Sequence, residues 1–200
     1  MKELSKKELN LASEILKSGG LIAFPTETVF GLGVIYNNKD SYDRLIKVKR
    51  RPPEKPFTLM LSNTKDIEKY AYINGKAKKL INKFMPGQFT IILKAKENLP
   101  SYVISKEGNV GIRIPSMKLI QDLIDLVGFP LLVPSANKSG EPTLTKYEDV
   151  KNIFNNEIDA IINGECESNT PSTIVMVDDD VKIIRLGIIK EEDIKKALEE

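Results

Sequence analysis

The chain has 200 residues, of which 41% are hydrophobic and 29% charged, and its formal net charge is +2. This composition predicts one globular domain over residues 1–200, without the ~18 continuous apolar residues of a membrane span. Histidine is absent and Cys166 is the only cysteine, which excludes intrachain disulfides, Ser-His-Asp and Cys-His catalysis, and thiolate metal clusters. The polar, helix-like N-terminus does not resemble a signal peptide, so we expect a cytoplasmic protein.

Helical and extended patterns alternate along the first half of the chain. Ser5 and Glu8 predict a capping box for a first helix, which the glycines at 19–20 end. The further predicted elements, in chain order, are strands at 21–24 and 32–36, a helix at 40–49, an extended segment at 57–61, a helix capped by Asn63 or Thr64, and a helix at 75–84.

Strands become more frequent in the second half. The predicted elements are strands at 89–94 and 110–114, an apolar helix from a Ser116 cap to 127, a strand at 131–133, a helix with a Thr145/Glu148 capping box, strands at 158–162, 172–177 and 181–185, and a helix at 190–200. Asp178, Asp179 and Asp180 indicate a hairpin turn rather than a metal site. Because the late strands outnumber βαβ units, this order predicts an α/β fold with a mixed sheet flanked by helices.

A basic run at residues 47–55 is the first candidate for chemistry. Lys49 and Arg51 point the same way if the chain is extended there, and the prolines at 52–53 stiffen it. Such a pair can neutralise a polyphosphate, with arginine making a forked contact and lysine a point charge. A solvated helix C-terminus, where cations are favourable, explains the same residues without a ligand.

Arg113 is a second candidate, because it lies inside an otherwise apolar predicted strand. An unpaired charge there is costly, so Arg113 needs an anion. No acidic residue is close in sequence. Both an internal carboxylate and the anionic group of a ligand therefore remain open.

Two loops of small polar residues, at 25–33 and 134–143, each follow a short buried strand. Ligands of open α/β sheets bind at the carboxyl ends of strands. Ser135, Asn137 and the backbone N–H groups could form an anion-binding concavity, although ordinary turns explain both loops as well. The sequence contains neither a dinucleotide fingerprint nor a Gly-Lys-Ser/Thr phosphate loop.

Taken together, these segments resemble the YrdC/Sua5 family of L-threonylcarbamoyladenylate synthases. The matching segments are 25–33 (the family's PTETVYGLG, with Phe30 for Tyr), 49–52 (KxRP), 86–90 (PGPLT, with Gln88 as a departure), 110–115 (VGVRIP), 134–140 (PSANxSG), 171–173 (ST[IV]) and 185–187 (R-x-G). The resemblance runs from about Leu4 to Ile188. The chain ends after this region, so we expect a short, YrdC-type member without the extra C-terminal domain of longer ones.

The resemblance implies a twisted, open α/β sheet with a cationic cleft. It implies that L-threonine, bicarbonate or CO2, and ATP condense to threonylcarbamoyl-AMP and pyrophosphate, for the t6A modification at position 37 of tRNA. Mg²⁺ accompanies ATP without an assigned protein ligand, and a tRNA-modifying transferase complex acts downstream. No membrane is involved.

The resemblance also implies roles for individual residues. Lys49 and Arg51 are the implied catalytic residues. The implied ATP-binding residues are Lys49, Arg51, Lys55, Ser135, Asn137, Thr143 and Arg185. The implied threonine-binding residues are Thr28, Arg113 and Ser172, with Arg113 binding the carboxylate.

Two other functions remain open. Family members have been linked to double-stranded RNA, and the lysines at 76, 78, 79 and 83 add cations, so a non-catalytic module that binds double-stranded RNA or tRNA is the first. No array of aromatic residues for stacking bases accompanies them. The second is the carbamoyl-adenylating domain of hydrogenase-maturation proteins, which normally has zinc-finger and acylphosphatase-like neighbours.

Overall fold

One large twisted sheet runs through the molecule. The structure, a computed structural model, describes residues 1–52 and 56–199. Within them, ten strands form a single sheet in the order β1-β8-β2-β3-β7-β4-β6-β5-β9-β10. The strands are β1 (Lys2–Leu4), β2 (Ile22–Phe24), β3 (Gly31–Ile35), β4 (Leu59–Met60), β5 (Phe89–Lys94), β6 (Asn109–Arg113), β7 (Leu131–Leu132), β8 (Ala160–Ile162), β9 (Thr173–Val177) and β10 (Val181–Arg185).

Helices lie on both faces of this sheet. They are α1 (Leu9–Lys17), α2 (Lys39–Lys49), α3 (Gly75–Phe84), α4 (Lys118–Val127), α5 (Tyr147–Phe154) and α6 (Glu191–Glu199), with short 3-10 helices at Thr64–Lys69 and Ser101–Val103. None of the helices in the two described ranges is long and apolar enough to cross a bilayer. Parallel pairs (β1/β8, β2/β8, β4/β6 and β5/β9) occur beside antiparallel ones. The predicted α/β fold with a mixed sheet is confirmed.

The side chains of the central strands alternate between the two faces of the sheet, and an apolar core forms on each face. Ile22 and Phe24 of β2 pack with α1 and α4 in what we term the first core. Leu21 and Ala23 point the other way, into a larger second core. Successive side chains of a strand point to opposite faces, so a short apolar strand supplies both cores. This is why these strands read as continuous apolar runs.

The N-terminus differs from its prediction. Residues 2–4 form β1, which pairs in parallel with β8, instead of continuing the helix-like pattern. The Ser5 backbone N–H and hydroxyl both donate to Glu8 Oε2, so the hydroxyl is a donor instead of the N-cap acceptor. Helix α1 begins only at Leu9 and its N-cap, Glu8, makes no side-chain capping bond. Of the predicted capping box, the bond from the Ser5 N–H to the Glu8 carboxylate is therefore confirmed, but the cap by the Ser5 hydroxyl is wrong and the start of the helix lies four residues after Ser5.

Two other predicted caps are wrong as well. Helices α4 and α5 have Met117 and Lys146 at their N-caps, without a side-chain capping bond, so neither Ser116 nor Thr145 has that role. The helices that do have a side-chain N-cap use asparagine. The Oδ1 atoms of Asn38, Asn63 and Asn74 each accept a hydrogen bond from the backbone N–H three residues ahead. The prediction for Asn63 is confirmed.

Removing an N-cap that the structure contains should destabilise the protein more than removing one that was only predicted. Asn74→Ala is expected to lower the free energy of unfolding by about 1 kcal/mol, because it leaves the Ala77 N–H without its acceptor. Ser116→Ala should change that free energy by less than about 0.5 kcal/mol. Urea denaturation of both variants measures the difference, and equal losses would contradict this assignment of the caps.

The late aspartates form the predicted hairpin turn. Strands β9 and β10 are antiparallel neighbours, and the Asp178 N–H donates to Asp180 O at 2.9 Å between them. Over residues 1–52 and 56–199, no group of three or more histidine, cysteine or acidic residues could hold a metal ion.

Candidate active site: an arginine-lined cavity

A cavity of about 160 Å³, open to solvent, brings together segments that are far apart in sequence. The predicted site residues that line it are Thr28, Arg51, Arg113, Ser135, Thr143, Ser172 and Arg185. Lys49 and Asn137, which were also predicted to bind ATP, do not line the cavity. Lys55 lies outside the described residues.

The floor of the cavity is a part of the sheet next to the first core. Thr90, Arg113 and Ile174 line the cavity, whereas the residues beside them on β5, β6 and β9 belong to the second core. Helices α1 and α4 pack over Ile22, Phe24 and Leu131, at the other end of the same face. Because successive side chains of a strand point to opposite faces, these strands direct polar side chains to the cavity and apolar ones to the second core.

Arg113 has an internal carboxylate partner. Its Nη2 donates to Glu27 Oε1 at 2.7 Å and to Thr28 Oγ1 at 3.0 Å. The Arg113 and Glu27 side chains are only 9% and 1% exposed. Arg113 Nε and Glu27 Oε2 are also buried, and within the described residues neither has a hydrogen-bond partner. Glu27 was missed in the sequence because 86 positions separate the two residues.

Lys49 supports a loop instead of facing the cavity. Its side chain is buried, and Nζ donates to Ser135 O at 2.6 Å, Asn137 O at 2.7 Å and Asn137 Oδ1 at 2.9 Å. An ammonium group has three hydrogens, so these acceptors use all of them. Lys49 thus ties the end of α2 to the loop that carries Ser135.

The extended segment assumed for Lys49 and Arg51 is not present. Lys49 is the last residue of α2, and Arg50 follows with the left-handed φ of 50° that ends the helix. The Arg51 N–H then donates back to Ile46 O at 3.1 Å. This turn sends the Lys49 side chain into the loop and the Arg51 side chain to the cavity.

The environment of Lys49 opposes its charge. Burial, followed by the positive charges of Arg51 and Lys138, lowers the pKa of Lys49 to about 7. The three oxygen acceptors act against this shift, because they bind the protonated form. The ammonium is therefore held in place at a cost in stability.

Stability should depend on pH through Lys49. Between about pH 7 and pH 10.5, the pKa values of Lys49 in the folded and the unfolded chain, the unfolded chain binds this proton more strongly. The cost in stability of burying the charged form is therefore present in full below about pH 7. The free energy of unfolding is expected to rise with pH in that window, by at most about 1.4 kcal/mol per pH unit. Lys49→Met should lack this rise. Denaturation of both proteins across the window measures it, and parallel curves would contradict it.

Arg51 is held at the cavity wall by its neighbours. Its guanidinium lies 4.9 Å from the centre of the Phe57 ring, and Nη2 donates to Pro56 O at 3.2 Å. Burial lowers the pKa of Arg51 from its usual high value, but arginine stays charged at any physiological pH. The structure thus presents a fixed cation to the cavity.

The two polar loops are bonded to each other. The Phe30 N–H donates to Leu144 O, the Leu32 N–H to Pro134 O, and the Ala136 N–H to Phe30 O. The Ser135 hydroxyl donates to Asn137 Oδ1 at 2.7 Å, so Asn137 braces its own loop together with Lys49. Thr28 and Ser135 consequently reach the same cavity from different parts of the chain.

Arg185 and Gly187 hold the turn that carries Ser172. Arg185 Nε and Nη2 donate to Ser172 O at 3.1 and 2.8 Å, and the hydroxyls of Ser172 and Thr90 lie 2.9 Å apart. A Cβ at Gly187 would lie 2.2 Å from Pro171 O, so only glycine fits. Burial and the charge of Arg113 both lower the pKa of Arg185, since the two guanidinium groups are neighbours.

Comparison with known proteins identifies relatives of this chain. The family model Sua5_yciO_yrdC, described as "Telomere recombination", matches residues 14–187. The chain belongs to the Sua5/YciO/YrdC family. A relative from Methanocaldococcus jannaschii is 36% identical over 193 residues, which are 94% of this chain and 91% of that protein. The threonylcarbamoyl-AMP synthase of Bacillus subtilis is 34% identical over 98% of this chain and 58% of its own length.

Solved structures of the Sua5/YciO/YrdC family share the fold. Pyrococcus abyssi Sua5, crystallised in complex with L-threonine, superposes with a TM-score of 0.92 at 29% identity, covering 98% of this chain and 60% of that one. Escherichia coli YciO superposes with a TM-score of 0.89 at 26% identity, covering 96% and 98%. This chain therefore spans less than two thirds of the Sua5 chain and nearly all of YciO.

Residues without a predicted role complete the cavity. Phe57, Thr58 and Thr90 line it, although no motif singled out Phe57 or Thr58. The departure at Gln88 has a structural role, because Gln88 Nε2 donates to Glu27 O at 3.1 Å. Polar residues alternating with apolar ones in predicted strands are the signal that could have found Thr90.

Proposed function

We propose that this chain is an L-threonylcarbamoyladenylate synthase, a nucleotidyltransferase that condenses L-threonine, bicarbonate or CO2, and ATP. The observation that carries the proposal is that Arg51, Arg113 and Arg185 line one cavity together with several hydroxyl groups. Such a cavity can bind two anionic groups side by side. The name of the Bacillus subtilis relative and the threonine complex of Pyrococcus abyssi Sua5 support it.

The charges match those of the expected product. Threonylcarbamoyl-AMP carries one negative charge on its carboxylate and one on its phosphate. Three arginines contribute +3 to the described cavity and Glu27 behind Arg113 contributes −1, which leaves +2. Electrostatic complementarity of this kind favours the right ligand and disfavours others. It also supports the cationic cleft that the family resemblance implies.

The threonine would bind at the Arg113 end. Arg113 Nη2 is held by Glu27 and Thr28 and Nε is buried, which leaves Nη1 for the substrate carboxylate. The hydroxyls of Thr28 and Ser172 lie at the same cavity and can bond to the amino acid. Arginine binds carboxylates through short, charge-assisted hydrogen bonds.

The nucleotide would bind beside the threonine. Arg51 would contact the phosphates, and so would Arg185, which is a neighbour of Arg113 and therefore lies where the two ligands would meet. Ser135 and Thr143 would line the nucleotide side. Lys49 and Asn137 would act by holding the Ser135 loop, and Lys55 would add a further charge. The described cavity lining contains no carboxylate, so Mg²⁺ would arrive on ATP, bound to its phosphates, without an assigned protein ligand.

The reaction needs positioning and charge stabilisation more than acid–base groups. The threonine amine adds to CO2 and loses a proton to solvent, giving a carbamate. A carbamate oxygen then attacks the α-phosphorus, and pyrophosphate leaves. Orientation of reactants can supply roughly 7–11 kcal/mol of such a barrier, and fixed cations stabilise the charge that develops on the phosphates. This chemistry is compatible with a chain without histidine.

Mass spectrometry of the reaction mixture tests the proposal. Purified protein with ATP, L-threonine and carbon-13 bicarbonate is expected to form threonylcarbamoyl-AMP that contains the label, together with pyrophosphate. Reactions without threonine, and with Arg51→Ala protein, are the controls. Salt-dependent binding of double-stranded RNA without any pyrophosphate would instead favour the RNA-binding alternative. In the cytoplasm, where we expect the protein, the product would pass to a tRNA-modifying transferase complex.

A further inference from the structure

The three predicted threonine-binding residues lie on three different segments of the chain. Thr28 belongs to the loop between β2 and β3, Arg113 is the last residue of β6, and Ser172 directly precedes β9. Groups that bind one ligand must keep their relative positions to within about 0.5 Å. The contacts that join these three segments therefore bear on how well threonine binds.

Two consecutive residues, Gly87 and Gln88, join all three segments by hydrogen bonds. Each bond ends one residue away from a predicted threonine-binding residue. The bonds run from the Gly87 N–H to Ile114 O at 2.8 Å, from the Thr173 N–H to Gln88 O at 3.1 Å, and from Gln88 Nε2 to Glu27 O at 3.1 Å. The described lining of the cavity includes neither Gly87 nor Gln88, so any effect of theirs on a ligand is indirect.

Of these three bonds, the one from Gln88 Nε2 depends on a side chain, whereas the other two join main-chain atoms. It ends on Glu27, which together with Thr28 holds Arg113 Nη2. Glu27 is fully buried, so its carbonyl oxygen cannot replace a lost donor with bulk water, and an unsatisfied buried acceptor is costly. Loss of the Gln88 amide should therefore shift the loop that holds Arg113.

We propose that Gln88 is a positioning residue for threonine. Its amide fixes the loop that holds Arg113, and its main-chain carbonyl fixes the segment that carries Ser172. Gln88 is also the departure from the family pattern, whose proline at this position has no side-chain donor. The proposal rests on the proposed function, because it takes Thr28, Arg113 and Ser172 as the threonine-binding residues.

The first test uses Gln88→Met, which keeps the length of the side chain and the main-chain carbonyl but removes the amide donor. Calorimetry is expected to show that the Kd for threonine rises about fivefold or more, as for the loss of one hydrogen bond. The Kd for ATP should change less than about twofold, because the three bonds end on other segments than those that carry Arg51 and Ser135. Unchanged threonine affinity, or equal losses for threonine and ATP, would overturn the proposal.

Asn74→Ala is the matched control, because it removes one hydrogen bond at the N-cap of α3, away from the cavity, and should leave threonine affinity unchanged. The second test is hydrogen exchange in the unmodified protein. Threonine is expected to slow exchange of the Gly87 and Thr173 amides at least about threefold, although neither residue lines the cavity, because a ligand stabilises the segments that these bonds join. The Ala77 amide should not change. Protection confined to residues that line the cavity would contradict the role of Gln88.

The outcomes separate this proposal from the function on which it rests. If threonine does not bind the unmodified protein at all, the proposed function and the role of Gln88 both fail. If threonine binds and pyrophosphate forms, but Gln88→Met keeps its full affinity for threonine, only the role of Gln88 fails. If Gln88→Met does not fold, the exchange measurement on the unmodified protein decides the matter.

Discussion

Arg51→Ala is expected to reduce ATP-dependent pyrophosphate formation by about 100-fold or more, while the protein stays folded. Arg51 lines the cavity and presents a fixed cation to it, with its guanidinium over the Phe57 ring. In other enzymes, loss of one contact to a group that gains negative charge in the transition state lowers the rate by about 100-fold to 1,000-fold. The ring contact contributes only about 1 kcal/mol to stability, so folding should survive.

Arg50→Ala is the matched control for this prediction. Arg50 is adjacent in sequence and has the same charge, but it is exposed and does not line the cavity. Pyrophosphate release should therefore stay within about twofold of the unmodified rate. Circular dichroism and urea denaturation check that both variants fold. Equal losses in the two variants would mean that the basic run acts only through its overall charge.

Arg113→Ala is expected to lower the free energy of unfolding by about 3–5 kcal/mol and to abolish measurable threonine binding. The stability effect arises because Glu27, only 1% exposed, is left as a buried charge without its partner. The binding effect would arise because, in the proposed function, Arg113 is the cation that binds the substrate carboxylate. Urea denaturation measures the first effect and calorimetry with threonine the second.

A double-mutant cycle separates these two effects. Arg113→Ala with Glu27→Ala removes both charges, so it should recover much of the lost stability but none of the threonine binding. The Arg44–Asp159 pair is the control, because its side chains are 37% and 36% exposed and Arg44→Ala should cost less than about 1 kcal/mol. If the double variant regains threonine binding, Arg113 is only a structural partner of Glu27.

The elements that could be predicted from the sequence are those with strong local patterns. Residues 75–84 and 89–94 form α3 and β5 with the predicted bounds, because apolar periodicity over ten or six residues decides the type of element. The failed predictions concern short-range polar signals. Thr145 has the right residue type for a cap, but its helix begins two residues later, at Tyr147, where packing sets the boundary.

The candidate site was predictable only in part. A polar loop after an apolar strand pointed to Ser135, a cation in an apolar strand pointed to Arg113, and the family resemblance pointed to Thr28. All three line the cavity, whereas Asn137 of the same polar loop does not. The direction of each side chain was not predictable. Lys49 and Arg51 have the same charge and lie two positions apart, yet a single left-handed residue, Arg50, turns one into the loop and the other to the cavity.

The sequence by itself determined the class of fold, the order of most elements, and the kinds of group available for chemistry, because all of these depend on local periodicity and composition. Only the tertiary structure decided which charges meet. The partner of Arg113 lies 86 positions away, and two distant segments of the chain, the end of α2 and the loop that carries Ser135, must pack before Lys49 finds its three acceptors. Electrostatic interactions depend on distance and burial in space, and neither can be read from spacing along the chain.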